Sequence, residues 1–292
     1  MSFSSPLLTD LVRRVPPPAR PTGGQGDWAA VEASLGTRLP SDFKALVATY
    51  GRGEFCDVIG LCTPFGEDNP VRLTADLLED YGSSREMFPE RYPYPLFPEP
   101  GGLIAWGLTD AGHHLCWLTV GEPDSWPVVV WSRDDDHEEY DCCATDFIEG
   151  WVSGRIVSEV MPDDEGLAPW FDAAREEVHV YVPLSEGPLP YPERLRILRE
   201  ALAPTVDRGS FHSAYGDSRQ DHFATVETGW RLTYETAYGH QIRVAFPPGD
   251  SERARRAVLG AVAAMGCEVL GANTVHGVAA WGPTPSHPGT RG

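Results

Sequence analysis

Between Asp27 and Gly51 the sequence spells two short amphipathic helices, each with a starter residue and a glycine stop. No other feature constrains the fold as tightly. Asp27 is a good N-cap ahead of Trp28-Ala29-Ala30-Val31-Glu32-Ala33-Ser34-Leu35, because its carboxylate can accept an unpaired N–H of the first turn. Trp28, Val31 and Leu35 share one face at helical spacing, and Gly36 ends the helix. Beyond Leu39-Pro40, Ser41 is a second N-cap candidate, Phe43, Leu46, Val47 and Tyr50 form the apolar stripe, and Gly51 closes it.

The flanking segments suggest a sheet for these helices to cover. Residues 55–61 read as a strand, and Thr74 caps a helix running through Leu77, Leu78 and Tyr81 to Gly82. Five prolines among aromatics make 83–102 a loop. Strand-like runs at 103–108, 114–120 and 127–132, separated by turn-rich segments, predict an antiparallel meander. Thr145 then caps a helix that presents Phe147, Ile148, Trp151 and Val152 to the sheet.

After Met161-Pro162-Asp163-Asp164-Glu165-Gly166 the pattern changes. A strand at 178–182, a helix at 191–202, strand-like runs at 222–227 and 230–236 (two strands or one bent one) and a strand at 241–246 follow. A helix at 251–265 and a strand at 267–271 complete the series. Trp230, Leu232 and Tyr234 alternate, as do Ile242, Val244 and Phe246, across the Tyr238-Gly239 turn. The order suggests a ferredoxin-like α+β sandwich. The expected organisation is an N-terminal helix and Pro/Gly linker (1–26), an acidic α+β domain (27–165), a connector helix (166–177), a ferredoxin-like domain (178–282) and a disordered tail (283–292).

Charge separates the halves. The 292 residues carry 43 acids against 23 bases, a net of −20, and residues 1–165 hold 29 of the acids with only 11 of the bases. Such a surface repels phosphate backbones and anionic lipid, which strongly disfavours nucleic-acid binding as a main role. No apolar run approaches the roughly 20 residues of a membrane span, and the first 20 residues lack the pattern of a secretory signal. Cys56, Cys62, Cys116, Cys142, Cys143 and Cys267 form no CxxC pair or framework spacing, so reduced thiols in the cytoplasm are expected.

The run Trp28-x2-Val31-Glu32-x2-Leu35-Gly36-x2-Leu39-Pro40-x-Asp42-Phe43-x2-Leu46-x3-Tyr50-Gly51-x-Gly53 resembles the opening signature of the SUKH superfamily, in its Smi/Knr-like branch. Leu103-Ile104-Ala105-Trp106-Gly107, Asp110-x-Gly112, Leu115-x-Trp117, Trp126-Pro127-Val128-Val129-Val130 and Asp146-Phe147-Ile148 are similar to its later segments. The resemblance spans about residues 27–154. It implies an antiparallel sheet with flanking helices, no catalytic residues, and, for bacterial members, immunity proteins that neutralise polymorphic toxins, many of them nucleases. Fungal members instead regulate cell-wall synthesis. The C-terminal module lies outside the resemblance.

Asp134, Asp135, Asp136, Glu138, Glu139 and Asp141 place six carboxylates in eight positions. A solvated loop beyond an edge strand is the plain explanation. The sharper one is an anionic docking patch for a basic protein partner, since an acidic surface complements the positive cleft of a nuclease and speeds encounter.

Other constellations carry less. His114 and Cys116 share a strand face while His113 points away, which leaves two ligands and no metal site. The acidic run lacks the glycine and terminal glutamate of a calcium loop. Gly23-Gly24-Gln25-Gly26 follows prolines rather than a strand, unlike a phosphate loop. No Gly-x-Ser-x-Gly elbow is present, and His212, Tyr215 and Asp217 form a trio of a kind that arises by chance. Trp106, Trp117, Trp126, Trp131 and Trp151 read as core, with one or two available as interface anchors. The expectation is a cytoplasmic, non-enzymatic immunity protein without cofactor or metal that occludes a cognate toxin. The alternatives are a regulatory or scaffolding protein, or small-molecule sensing by the C-terminal module.

Overall fold

The computed structural model describes residues 6–65, 70–95, 97–132, 136–161, 168–213, 216 and 218–281. The chain divides into two compact units, Met1–Ala174 and Arg175–Gly292. The first contains α1 (Pro6–Arg14), α2 (Trp28–Leu35), α3 (Ser41–Tyr50), β1 (Gly53–Phe55), β2 (Ile59–Leu61) and α4 (Pro70–Met87). It continues through β3 (Leu103–Thr109), β4 (His114–Leu118), β5 (Val128–Trp131), β6 (His137–Tyr140), α5 (Ala144–Val152) and β7 (Phe171–Ala173). Its strands form one antiparallel sheet in the order β6-β5-β4-β3-β2-β1-β7.

Both faces of this sheet are buried, which explains why Val128-Val129-Val130-Trp131 is apolar throughout. Ile104, Trp106, Leu115, Trp117, Val128 and Val130 join Leu11, Phe43, Leu46, Tyr50, Phe147 and Ile148 in the larger core. On the opposite face Ala105, Cys116, Val129 and Trp131 pack with Tyr81 of α4 and with Tyr92 and Tyr94. A bulge at Trp106 shifts the β3–β4 register, and the Thr74 hydroxyl accepts the Ala105 N–H at 3.0 Å. Thr74 therefore lies inside α4 rather than capping it, and Gly82 does not end the helix, which runs on to Met87.

Several other local expectations change. Residues 55–61 form a hairpin because Cys56 and Asp57 adopt φ of 54° and 56°, the left-handed pair that a tight turn demands. Residues 1–26 are part of the first unit: Leu8, Leu11 and Val15 are buried, and the Tyr50 hydroxyl donates to the Val15 carbonyl at 2.6 Å. Thr22 bridges Gly51, whose φ of 67° and approach of a notional Cβ to 2.4 Å from the Thr22 oxygen explain the glycine there. No helix forms at 171–173. Those residues make β7, because Phe171 packs on Tyr50 and Phe55 while its backbone pairs with the free edge of β1.

The second unit contains β8 (Val178–Pro183), α6 (Tyr191–Ala201), β9 (Thr205–His212), β10 (Arg219–Thr225), β11 (Arg231–Glu235), β12 (Gln241–Phe246), α7 (Ser251–Met265) and β13 (Asn273–Thr274). The antiparallel order is β13-β8-β12-β11-β10-β9, with Val180, Val182, Leu198, Leu232, Tyr234, Val244, Val258 and Val262 in one core. Residues 222–227 and 230–236 resolve into two paired strands. β9 escaped the sequence reading because an edge strand of polar composition shows no apolar alternation. At 267–271 only Val269 bridges, to Leu184, and the pairing moves out to β13. The expected tail at 283–292 and most of the 161–166 boundary lie outside the described residues.

Helix ends in the first unit are secured by carboxylates from elsewhere. Pro40 occupies the N-cap of α3 and offers no acceptor, so the Ser41 N–H donates instead to Asp124 Oδ1 at 2.6 Å. That bond holds the Asp124 carboxyl below its usual range. Ser41 is thus the first helical residue rather than the cap. Asp42, one position on, accepts the Thr145 N–H of α5 at 2.9 Å. Asp124→Ala should lower stability in urea unfolding by about 1 kcal/mol, as loss of a cap does. Glu122→Ala, which removes only the exposed pair with Arg38, should change it by less than about 0.5 kcal/mol.

Candidate functional site

β5 delivers the chain to the acidic run. After Trp131 the Ser132 N–H donates to the Asp136 carbonyl at 2.8 Å, and β6 returns along β5 with Trp131 opposite His137 and Val128 opposite Tyr140. β6 is the outermost strand, so its residues alternate between two environments. The His137 ring stacks on Trp131 at 5.5 Å and 12°, and Tyr94 meets it edge-on at 5.3 Å. Tyr140 turns the other way, onto Phe147 at 5.0 Å.

The structure divides the six carboxylates of the run. Asp134 and Asp135 lie outside the described residues. Asp136, Glu139 and Asp141 are exposed, although Glu139 also accepts the hydroxyl of the buried Tyr94. Glu138 is half-buried and committed internally: it accepts hydrogen bonds from the Ser158 hydroxyl, from the Glu159 N–H at 2.7 Å and from the Tyr140 hydroxyl at 2.7 Å. Burial pushes its carboxyl up, but these donors outweigh it and hold the group below the ordinary glutamate range. Burial, with the Glu138 bond second, pushes the Tyr140 phenol up to about 12. Glu138 therefore pins 158–161 beside the outer strand. The period-2 alternation could have hinted at this; the partner twenty residues away could not be read from the sequence.

The residues carrying the family resemblance have structural duties. Trp28 packs edge-on against Phe43 and Phe65, and Phe43 against Trp117 at 4.8 Å. Glu32 accepts the Leu39 N–H at 2.8 Å and pairs with Lys44, whose ammonium lies 5.6 Å from the Trp28 ring centroid. Burial alone would raise the Glu32 carboxyl, yet these bonds keep it low.

Reactive groups are muted where they are described. Burial raises the Cys116 thiol well above its usual range, and it pushes Cys142 and Cys143 up to about 12, with neighbouring carboxylates adding to the effect. His113 is buried and His114 half-buried, and among the described residues no three His, Cys, Asp or Glu side chains could hold a metal. His212 ends β9, while Tyr215 and Asp217 lie outside the described residues. Trp106, Trp117, Trp126, Trp131 and Trp151 are all buried, so none of them is an exposed anchor. Exposed apolar side chains of the first unit include Met87 (66%) and Phe88 (47%), four to five residues along the chain from Tyr92, which packs on Trp131, and Val157 (72%), next to the Ser158 that bonds Glu138. No motif distinguished them.

These features define an α+β module whose outer strand carries exposed carboxylates. Residues 25–149 match the family described as SMI1-KNR4 cell-wall, SUKH_6, a match consistent with a SUKH-type module in the first unit. Residues beyond 149, including the whole second unit, are outside that match. The match to this generally non-enzymatic family supports a general immunity or protein-binding role. No curated protein and no solved structure matches the chain. Among the described residues no helix is long and apolar enough to cross a membrane.

The Glu138 carboxylate gives a pH signature. Its folded-state value is depressed, so its stabilisation is full above the ordinary glutamate range and lost as pH falls through the lower, folded-state value. Hydrogen-exchange protection of Glu159 and Met161 should therefore fall selectively on acidification. In Glu138→Gln that protection should be reduced at neutral pH already and change little with acid.

Proposed function

We propose that the first unit is an immunity module that neutralises a cognate bacterial toxin, a nuclease being the best fit, by occluding it through an acidic surface. The observation that carries this reading is the exposure of Asp136, Glu139 and Asp141 along the outer edge of a SUKH-type sheet, in the half of the chain with 29 acids against 11 bases. A nuclease must present positive charge to phosphate, and a carboxylate edge competes for that charge and accelerates encounter. Met87 and Phe88, exposed on a segment tied through Tyr92 to the same aromatic cluster, supply the apolar contact that lengthens residence. The second unit is a ferredoxin-like sandwich with one additional hairpin between its helices. The module acts in the cytoplasm and without a cofactor.

Co-expression with the toxin encoded by a neighbouring gene should restore growth, and absence of both rescue and complex would refute the reading. Replacing Asp136, Glu139 and Asp141 together by Asn, Gln and Asn should slow association roughly three- to tenfold at low salt and flatten its ionic-strength dependence. Met87→Ala with Phe88→Ala should act mainly on dissociation. Unchanged association rates in the charge variant would remove this edge from the interface.

A further inference from the structure

In the second unit the start of α6 and the β11–β12 turn enclose a guanidinium without a matching carboxylate. The Arg194 side chain is only 8% exposed, and its Nε is buried without a hydrogen-bond partner. Its NH1 lies 3.3 and 3.4 Å from the two ring nitrogens of His240, which places it over the imidazole rather than along a lone pair. That ring is already committed. Its Nδ1 is 2.8 Å from the Ser185 carbonyl, which can only accept, so Nδ1 carries the proton and Nε2 accepts the Tyr234 hydroxyl at 2.9 Å. Burial, with Arg194 alongside, disfavours a second proton on this ring, which in either state brings no negative charge to Arg194.

The carboxylate that approaches is Glu186, whose Oε2 stands 4.0 Å from NH1 on a side chain 90% exposed. Two points follow from that geometry. A carboxylate standing in solvent already comes close to NH1, so the guanidinium can be reached from the Glu186 side. The approach also stops short of a hydrogen bond, so the buried charge lacks compensation of the kind such charges require. Elsewhere in the unit a buried charge is fully served: Glu235, with no exposure, is held by Gln220, Gln241 and Arg243. The N-terminus of α6, an 11-residue helix whose Pro190 cap provides no side-chain acceptor, adds a favourable dipole beside the same loop.

We infer that Arg194 anchors an oxyanion-binding site, which takes a carboxylate or phosphate group of a small ligand on the Glu186 side and displaces that side chain. The full chain is titrated with inorganic phosphate and separately with acetate by calorimetry at fixed ionic strength, together with Glu186→Gln and Arg194→Met. Saturable binding at millimolar concentration is expected, tightened about threefold in Glu186→Gln, where the competing carboxylate is gone, and lost in Arg194→Met. Binding of phosphate alone assigns a phosphate-bearing ligand, and binding of acetate alone a carboxylate. Absence of saturable binding by both anions overturns the site, as does an affinity unchanged by Glu186→Gln. The latter comparison decides the matter if Arg194→Met fails to fold, because Glu186 lies on the surface. Neither outcome bears on toxin binding by the first unit.

Discussion

Carboxylates that accept backbone N–H groups hold the first unit together at its connections. Asp27 receives Ala30, Glu32 receives Leu39, Asp124 receives Ser41, Asp42 receives Thr145 and Glu138 receives Glu159. Each bond joins an ionised acceptor to a donor that a helix end or loop would otherwise leave unpaired, and such charge-assisted bonds are about twice as strong as neutral ones. A sheet buried on both faces needs them. Where the chain passes between a helix layer and the sheet, its polar backbone must be satisfied at the edge of the core.

This changes how the acidic excess is read. Part of the negative charge is structural and unavailable to a partner; Glu138 belongs here although it sits inside the most acidic stretch of the chain. The remainder, represented by Asp136, Glu139 and Asp141, faces solvent. The distinction matters for the proposed toxin-binding role, because steering needs exposed charge, whereas the structural carboxylates would be lost to folding if they were drawn into an interface.

Legibility in the sequence followed locality. α2 could be read because cap, apolar stripe and glycine stop lie within ten residues of each other, α3 from its apolar stripe and glycine stop alone, and the β3–β5 meander because turn residues separate strongly apolar runs. The hairpin at Cys56 and Asp57 was hidden because non-glycine residues hold the left-handed turn. β7 and β9 were hidden because edge strands need no apolar alternation. Thr74 looked like a cap, but its hydroxyl serves a bulge 31 residues away. At the candidate site the run itself was plain, while its division into structural and exposed carboxylates depends on Ser158, Glu159 and Tyr140. The pairing of Arg194 with His240 was equally remote, since 46 residues and three strands separate them.

The second unit illustrates the opposite use of charge. Glu235 shows that its sheet can neutralise a buried ion completely, so the incomplete arrangement around Arg194 is a local property of one end of the fold.

Mass-spectrometric labelling of carboxylates with a carbodiimide, on the free chain and on its complex with the cognate toxin, reads the central distinction directly. Asp136, Glu139 and Asp141 should label readily when free and become protected in the complex, while Glu138 and Asp42 stay poorly labelled in both. Equal labelling of the three outward carboxylates with and without bound toxin would contradict the account.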